Sequence, residues 1–399
     1  MAQLRRMKFA FALLFLYLSV TSINAQSNQN SATVPFHLDH NRIIVDVAVP
    51  LPNGDSKHVR AWVDNGDPTL NITEDLARAL GLRSPDKLGG DSSDTIAKRR
   101  SIYLGNMLID LSKIPITEIL PDMPSLGVEM NIPSSVLRSY DVIVDYPRGE
   151  LTLSSQGACT FRGKKVSAIV NDGNGLIQIA GSIDGRAYNL ALDLGTPVCF
   201  IAGDLLSGWQ RAHDSWLHMV GAISIANLWG LDGESLCELL RIPEINYGGL
   251  VLSSVIAVSF EKDRFDYFEK RAGVPTIGLI GADALLNYRV GLDYAHSSVY
   301  FQKSGDRALT HLDVVGLILH PEADGRYSIL GVANIGGFSA VPGVKPKDIL
   351  LDINNKPVTG LTMGNIWSML KGNPGSARIL TISREGRQFR VKAKVYRFL

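Results

Sequence analysis

The stretches that decide the fold are HVRAWVDNGDPTLNITEDLARAL (58–80) and AYNLALDLGTPVCFIAGDLL (187–206), which repeat one pattern. In each stretch an apolar strand runs directly into an Asp-x-Gly turn and continues into a short helix. The turn glycine lets the backbone fold sharply and approach a partner closely. The positions that coincide are Asp64 with Asp193, Gly66 with Gly195, Pro68 with Pro197, Asp75 with Asp204 and Leu76 with Leu205. The chain therefore contains an internal repeat.

A second pair of segments closes each half of the repeat, YDVIVDYPRGELTL (140–153) and YRVGLDYAHSSVYF (288–301). Each half also has a glycine-containing hairpin turn before its Asp-x-Gly motif. Alternating apolar residues between turn signals over roughly 35–303 predict a mainly β structure. A duplicated unit of this kind implies two similar lobes related by a pseudo-two-fold axis.

Composition excludes some classes of function. The 399 residues have a formal net charge of +1 with both signs mixed along the chain, so a nucleic-acid partner is not expected. Three cysteines cannot complete a disulfide framework, and their spacing fits no zinc pattern. We interpret Cys159, Cys199 and Cys237 as small core residues, and we expect neither a metal nor an organic cofactor.

The N-terminus has the features of a targeting segment. A basic region precedes the apolar run FAFALLFLYLSV (9–20), which is too short to span a bilayer comfortably. Residues 1–25 are therefore interpreted as a cleaved signal peptide, residues 26–34 as a linker, and the protein as exported to a periplasm or secreted. An uncleaved membrane anchor is the alternative, and only then is contact with a membrane expected.

Paired Asp-x-Gly turns have a specific chemical use. If the lobes face each other across the two-fold axis, Asp64 and Asp193 meet there, and two adjacent carboxylates share a proton because they cannot both ionise easily. The ionised member can take a proton from a water molecule that attacks a peptide carbonyl. The protonated member can stabilise the oxyanion and later protonate the leaving nitrogen.

These motifs resemble the bacterial retropepsin/pepsin-like aspartic proteases that carry two lobes in one chain. The two Asp-x-Gly segments match the family's Asp-Thr/Ser-Gly motif, and TIGLIGADALLNYRVGLDY (276–294) matches its second motif. The resemblance implies an aspartic endopeptidase with Asp64 and Asp193 as the catalytic pair. It also implies an active-site turn made by Asn65, Gly66, Asp67, Leu194, Gly195 and Thr196.

Departures from the family pattern bear on activity. In the family a hydroxyl residue follows each Asp and braces the pair across the lobes, whereas here Asn65 and Leu194 occupy these positions, and Leu has no donor. Asp67 adds a third carboxylate, which tends to raise the pKa values of the pair. The alternative is therefore a catalytically degenerate relative that binds peptides without cutting them.

From about residue 311 the sequence resembles a bacterial PDZ domain. Residues 344–350 match the family's Lys-Pro-Gly-Asp stretch, with Lys347 replacing Gly, and residues 354–358 match its strand-closing turn. The resemblance implies a groove in which an extended peptide adds a strand, and a loop that binds a C-terminal carboxylate. That carboxylate loop is predicted at Val315, Gly316, Leu317 and Ile318.

The sequence thus predicts lobe 1 at 35–160, lobe 2 at 161–305 and a PDZ-like α+β domain at 311–399. The expected partners are a peptide or unfolded protein in the interlobe cleft and protein C-termini at the PDZ groove. A monomer is expected because one chain supplies both lobes. A scaffold that docks a partner through its PDZ domain is a second alternative. Four residues of lobe 2 either line the cleft or pack within the lobe, namely His213, Trp216, His218 and Trp229.

Overall fold

The computed structural model describes residues 30–82, 100–120, 126–308 and 311–399. The predicted signal peptide at 1–25 lies outside these ranges. The chain is mainly β, with several sheets, which confirms the fold class expected from the sequence. Among the described residues, no helix combines the length and the apolar character needed to cross a membrane.

Lobe 1 is built on one sheet with the order β7-β6-β3-β4-β9-β5-β8, and β2 pairs with β3. Along β4, Val59, Ala61 and Val63 are buried in alternation, so one face of the strand packs in the core. The elements of the lobe are β1 (Ser31–Pro35), β2 (His37–Asp39), β3 (Arg42–Pro50), β4 (Ser56–Asp64), β5 (Leu70–Thr73), α1 (Glu74–Ala79), β6 (Ser101–Leu104), β7 (Met107–Asp110), β8 (Ile116–Leu120), β9 (Met130–Pro133), α2 (Ser134–Leu137), β10 (Tyr140–Asp145) and β11 (Glu150–Ser155).

Lobe 2 repeats this plan on a sheet with the order β13-β14-β15-β20-β16-β19-β18-β17. Its 3₁₀ turns cover Ser224–Ala226, Asp232–Ser235, Ala282–Leu285 and Tyr294–His296. Its other elements are β12 (Lys164–Ser167), β13 (Ile169–Val170), β14 (Ile177–Ile183), β15 (Arg186–Leu192), β16 (Cys199–Ala202), α3 (Gly203–Ala212), β17 (His218–Val220), β18 (Glu238–Tyr247), β19 (Leu250–Phe260), α4 (Lys262–Ala272), β20 (Gly278–Ile280), β21 (Tyr288–Asp293) and β22 (Ser298–Lys303).

A six-stranded sheet with the order β1-β11-β10-β21-β22-β12 joins the lobes. At its centre β10 pairs antiparallel with β21, so that Val142 lies opposite Leu292. These strands are the segments that close each half of the sequence repeat. Residues 31–34, expected as part of a linker, instead belong to β1, because Ala32 and Val34 bury their side chains while the strand pairs with β11.

The C-terminal domain, residues 311–399, has a main sheet with the order β24-β25-β28-β30-β31, in which β24 is an edge strand. Its one helix among the described residues, α5, covers Met363–Leu370. Its strands are β23 (Asp313–Val314), β24 (Leu317–Pro321), β25 (Tyr327–Val332), β26 (Asn334–Ile335), β27 (Phe338–Ser339), β28 (Ile349–Ile353), β29 (Lys356–Pro357), β30 (Ala377–Arg384), β31 (Arg387–Lys394) and β32 (Tyr396–Arg397).

The C-terminal domain packs on both lobes. From lobe 1, the buried Asp39 carboxylate accepts hydrogen bonds from Thr362 Oγ1 at 2.5 Å and from Gly364 N at 3.1 Å. This carboxylate lies at the first turn of α5, where the helix dipole favours a negative charge. Apolar side chains of lobe 2 and of the C-terminal domain also form one continuous buried cluster. The domain is therefore attached to the lobes by buried polar and apolar contacts.

Candidate active site

The two Asp-x-Gly turns lie at the ends of equivalent strands. Strand β4 ends on Asp64 and runs parallel to β9. Strand β15 ends immediately before Asp193 and runs parallel to β20, and Asp193 N donates to Ile280 O at 3.0 Å. Because each turn follows a strand fixed within a sheet, the position of each carboxylate is set by its lobe's core.

The turn glycines show how close the lobes are. A Cβ atom on Gly66 would lie 2.1 Å from Asp193 Oδ2, and one on Gly195 would lie 2.5 Å from Asp64 Oδ1. Each glycine therefore lies against the carboxylate of the opposite lobe, and a larger residue would displace it. The structure thus brings Asp64 and Asp193 together, as the repeat predicts, with backbone approach as the reason for glycine at both positions.

Asp64 is strongly biased toward its protonated form. Its side chain is buried, and burial is the main cause that raises the pKa of this carboxyl well above its usual value. The negative charges of Asp193 and then Asp67 raise this pKa further. A hydrogen bond from Gly66 N to Asp64 Oδ1, at 3.0 Å, acts in the opposite direction. Asp64 is therefore the member of the pair that holds a proton more readily.

Asp193 has the better support for a negative charge. Its Oδ1 accepts hydrogen bonds from Gly195 N at 2.9 Å and from Thr196 N at 3.0 Å. Burial raises the pKa of Asp193 to about 6, while these two N–H groups and the cation of Arg42 limit the rise. Because the two carboxyls interact strongly, they titrate as a pair, with the ionised state favoured on Asp193.

The brace between the lobes comes from one side chain. Asn65 Nδ2 donates to Leu192 O at 2.7 Å, and Asn65 Oδ1 accepts from Leu194 N at 2.6 Å. Asn65 therefore joins lobe 1 to the backbone on both sides of Asp193. The Leu194 side chain makes no such bond, and it is 1% exposed within the apolar core. One amide thus supplies both a donor and an acceptor across the lobes.

Trp62 adds a second polar link between the lobes, and sequence reasoning did not identify it. Its Nε1 donates at 3.0 Å to the carbonyl oxygen of Gly195, the glycine of the second Asp-x-Gly motif. The guanidinium carbon of Arg42 lies 5.5 Å from the centre of the Trp62 ring, within the range of a cation–π contact.

Arg42 is a fully buried cation beside the pair. It donates from Nη2 to Leu228 O at 3.1 Å, and its Nη1 lies 3.0 Å from His40 Nδ1. Since His40 Nε2 lies 2.9 Å from Ser224 O, and a carbonyl only accepts, Nε2 carries the proton and Nδ1 accepts from Arg42. Burial, then Arg42, lowers the pKa of His40 to about 3, so His40 is neutral. The polar run at 40–42 between two apolar strands was the only sequence signal for this group.

Asp67 has hydrogen-bond and ion-pair partners other than Asp64 and Asp193. Its Oδ1 accepts from Thr69 N at 2.8 Å and from Thr69 Oγ1 at 2.5 Å. The same oxygen pairs with Arg271 Nη2 of helix α4 at 2.5 Å, which connects the two lobes across the cleft mouth. The third carboxylate is therefore held by a cation of the opposite lobe while it still influences the pair.

The paired carboxylates lie in a cleft of about 600 Å³. Of the four lobe 2 residues that sequence reasoning considered for the cleft, Trp229 lines it, whereas the His213 ring stacks on Trp216 with centroids 4.3 Å apart. The cleft mixes aromatic and charged groups, which suits an extended peptide. It is lined by Trp62, Asp64, Gly66, Asp67, Asp193, Thr196, Trp229, Phe260, Glu261, Asp263, Arg264, Phe268, Arg271 and Leu279.

The predicted carboxylate loop of the C-terminal domain is buried. Val315, Leu317 and Ile318 are at most 2% exposed. Val315 N donates to Leu370 O at 3.1 Å and Leu317 N donates to Val315 O at 2.8 Å, so two N–H groups of the loop have partners within the domain. A Cβ atom on Gly316 would lie 2.6 Å from the Phe398 ring.

Metal ligation is not indicated in the part of the chain that the structure describes. There, no three or more His, Cys, Asp or Glu side chains are grouped so that they could hold a metal ion. Asp64 and Asp193 each accept hydrogen bonds from backbone N–H groups of their own turns.

Comparison with known proteins found distant structural likenesses only. No protein family matches the sequence, and no curated protein matches it. An aspartic proteinase from Irpex lacteus is similar, with 14% identity over 69% of this chain and 97% of that proteinase, at a TM-score of 0.36. A photosystem II D1 C-terminal processing protease is similar over 21% of this chain, with 16% identity and a TM-score of 0.19; the match spans only 22% of that protease. Both are proteases, and both are too distant to carry a functional argument.

Proposed function

We propose that this protein is an aspartic endopeptidase that uses Asp64 and Asp193 to hydrolyse a peptide bond. The observation that supports this best is that the two carboxylates, one from each lobe, are buried together at a cleft of about 600 Å³, each touching the opposite turn's glycine. The expected substrate is an extended peptide or unfolded protein, because the cleft of about 600 Å³ is lined by both aromatic and charged side chains.

In this proposal the two carboxyls have different roles. Asp193, which accepts two backbone N–H groups and faces the Arg42 cation, is the base that takes a proton from the attacking water. Asp64, which is buried beside two other carboxylates, is the acid that donates its proton to the carbonyl oxygen as water attacks. Asp193 then passes the proton taken from water to the leaving nitrogen, and Asp64 recovers a proton from the tetrahedral hydroxyl as the carbonyl re-forms. Asn65 holds the two turns in register during this exchange.

The test is cleavage of a mixed peptide library from acidic to neutral pH by the wild type and by Asp64→Asn and Asp193→Asn. Either substitution is expected to lower kcat/KM by roughly 10²–10⁴-fold, the usual contribution of general acid–base catalysis. Asp75→Asn is the matched control, because Asp75 is an exposed carboxylate of the same repeat that pairs with Arg78 one turn away. A folded wild type that cuts nothing at any pH would remove the peptidase proposal, as would full activity in both Asn variants.

A second candidate function is peptide binding without cleavage. It is favoured by the apolar burial of Leu194, since a hydroxyl brace from lobe 2 is absent at that position. This candidate predicts that peptides bind the cleft with unchanged affinity when Asp64 and Asp193 are both replaced by Asn, and that the wild type releases no products. Product formation by the wild type would exclude it.

We further propose that the protein acts outside the cytoplasm. The support is the basic and apolar pattern of residues 1–25, which is typical of a signal peptide. N-terminal sequencing of the protein recovered from the cell envelope and the medium should find a start close to Gln26. A start at Met1 in a membrane fraction would indicate the anchor instead.

A further inference from the structure

A segment of lobe 2, residues 221–231, occupies the groove of the C-terminal domain. We define the groove as the space between the edge strand β24 and the helix α5, because a peptide that adds a strand pairs with an open sheet edge. Along this edge, a Cβ on Gly221 would lie 2.8 Å from Ile318 Cδ1, and one on Gly230 would lie 2.4 Å from Pro321 Cδ. The 3₁₀ turn at Ser224–Ala226 packs against α5. The groove is therefore filled by the protein's own chain.

The contact between segment and groove is largely apolar. The segment contributes Ala222, Ile223, Ile225, Ala226 and Leu228, which are all at most 2% exposed. They share one buried cluster with side chains of the groove, namely Leu317, Ile318, Leu319, Met363, Ile366 and Leu370. An external peptide would have to displace all of these contacts, at a cost that grows with the apolar area exposed.

Asn227 makes the polar joint. It is 1% exposed, and its Oδ1 accepts from Leu319 N of the edge strand at 2.6 Å, in the place of a strand carbonyl. Its Nδ2 donates to Glu234, whose carboxylate also accepts from Trp229 N at 2.8 Å and from Gly230 N at 3.2 Å. One side chain therefore ties the groove's open edge to the loop that carries Trp229.

The other side of the same segment faces the candidate active site. Leu228 O accepts from Arg42 Nη2 at 3.1 Å, and Ser224 O lies 2.9 Å from His40 Nε2. The Trp229 ring, 39% exposed, lines the cleft, with the Arg264 guanidinium 6.0 Å from its centre. The segment thus lies between the groove and the residues that surround the carboxylate pair.

We propose that the groove of the C-terminal domain holds residues 221–231 permanently, and that Asn227 is thereby a positioning residue that fixes Trp229 in the cleft wall. On this account the domain is a structural part of the cleft, and external protein C-termini do not enter its groove. The part that concerns substrate rests on the peptidase function proposed above. Occupancy of the groove by the segment stands independently of catalysis.

The permanence of the contact can be tested with a cross-link. A Cβ on Gly331 would lie 3.5 Å from Ser235 Cβ, which is within the distance that a disulfide spans, and Ser235 lies in the 3₁₀ turn that follows the segment. We expect full-length Ser235→Cys/Gly331→Cys to cross-link under mild oxidation and to keep its peptidase rate within about twofold of the reduced form. Wild type and Ser235→Cys alone, oxidised in the same way, are the controls for the three native cysteines.

The same cross-linked protein tests the rival account. Fluorescent peptides with random free C-termini should bind the double-cysteine variant equally in its reduced and oxidised forms. The wild type should give the same result. If the reduced form bound such peptides and oxidation abolished that binding, the groove would open to external ligands and the proposal would be overturned. A loss of cleavage on oxidation that returned on reduction would overturn it as well.

The role of Asn227 can be measured by hydrogen exchange. Asn227→Ala should accelerate amide exchange at Leu319 and across 221–231 by about tenfold, as expected for loss of a buried hydrogen bond. It should raise KM more than it lowers kcat, because Trp229 lines the cleft where substrate binds and takes no part in proton transfer by the carboxylate pair. The oxidised cross-link should restore both. Asn189→Ala is the matched control, because Asn189 bonds Pro275 O within lobe 2 and away from the groove.

The readouts separate this inference from the peptidase proposal. Exchange rates and cross-linking need no activity, so a chain that cuts nothing could still confirm the filled groove. If Asn227→Ala left the amide exchange rates at Leu319 and across 221–231 unchanged, the positioning role of Asn227 would be refuted, even if the protein proved to be an active peptidase. A KM change that the cross-link failed to reverse would also count against the positioning role.

Discussion

The turns of the two lobes have the same backbone plan but differ in the residue that follows the Asp of each Asp-x-Gly motif. Lobe 1 places Asn65 there, and its amide makes two hydrogen bonds to lobe 2. Lobe 2 places Leu194 there, and its side chain packs in the apolar core. The comparison shows that one amide can join both turns, because an amide carries both a donor and an acceptor.

The asymmetry extends to the charges around the pair. Asp193 is supported by two backbone N–H groups and by the buried cation of Arg42, whereas Asp64 lies near the extra carboxylate of Asp67. Two equivalent carboxyls thus acquire different proton affinities from their surroundings. Lobes that share a plan need not contribute equally to the chemistry.

The largest effect is expected from breaking the brace. Asn65→Ala leaves Leu192 O and Leu194 N buried without these partners, so the free energy of unfolding should fall by roughly 2–5 kcal/mol. Misplaced turns should also lower kcat by about 10²-fold, since catalysis is sensitive to shifts near 1 Å. Chemical denaturation and peptide cleavage would measure the two effects.

Leu194→Met is the matched substitution in lobe 2. It conserves volume and removes no hydrogen bond, so it should cost less than about 1.5 kcal/mol and keep activity. If Asn65→Ala and Leu194→Met lost equal amounts of stability and activity, Asn65 would not be the residue that braces the two turns.

A smaller effect is expected on the pH dependence of stability. Burial raises the pKa of Asp193 from 3.8 to about 6, so the folded state binds more protons than the unfolded state over that interval. The contribution of Asp193 to stability is therefore most favourable below pH 3.8 and is lost as the pH rises toward 6. Asp193→Asn should then stabilise the protein relative to wild type by an amount that grows from pH 4 to pH 7. A difference in unfolding free energy that stayed constant over this range would contradict the assignment.

The sequence was sufficient for the parts of the site that are local. The strand, the Asp-x-Gly turn and the helix are encoded within about two dozen residues, so their repetition predicts two carboxylates at equivalent places. The mainly β class follows from the same alternation of apolar residues. Contacts around the pair that join residues far apart in the sequence gave no comparable signal. Arg42 is bound to Leu228, 186 positions away, and Trp62 to Gly195, 133 positions away.

The C-terminal domain also shows that contacts between distant segments cannot be predicted from local sequence. Its own sequence predicts a groove and a carboxylate loop, because these depend on neighbouring residues. That residues 221–231 fill the groove depends on how lobe 2 packs, which no pattern within 311–399 reveals. The expectation that external C-termini bind there stays a prediction, and it competes with the internal segment described above.

The smallest effect concerns the third carboxylate. The charge of Asp67 raises the pKa of both members of the pair, so Asp67→Asn should lower both values and move the acidic limb of the pH–activity profile to lower pH. Asn at this position can still accept from Thr69 but no longer neutralises Arg271, whose cation should lower the same pKa values further. The profile of kcat/KM against pH would measure the shift.

Asp263→Asn, a second carboxylate of the cleft wall that is not among the charges acting on the pair, provides the control. A limb that moved to higher pH, or moved equally in both variants, would mean that Asp67 does not set the proton affinity of the pair.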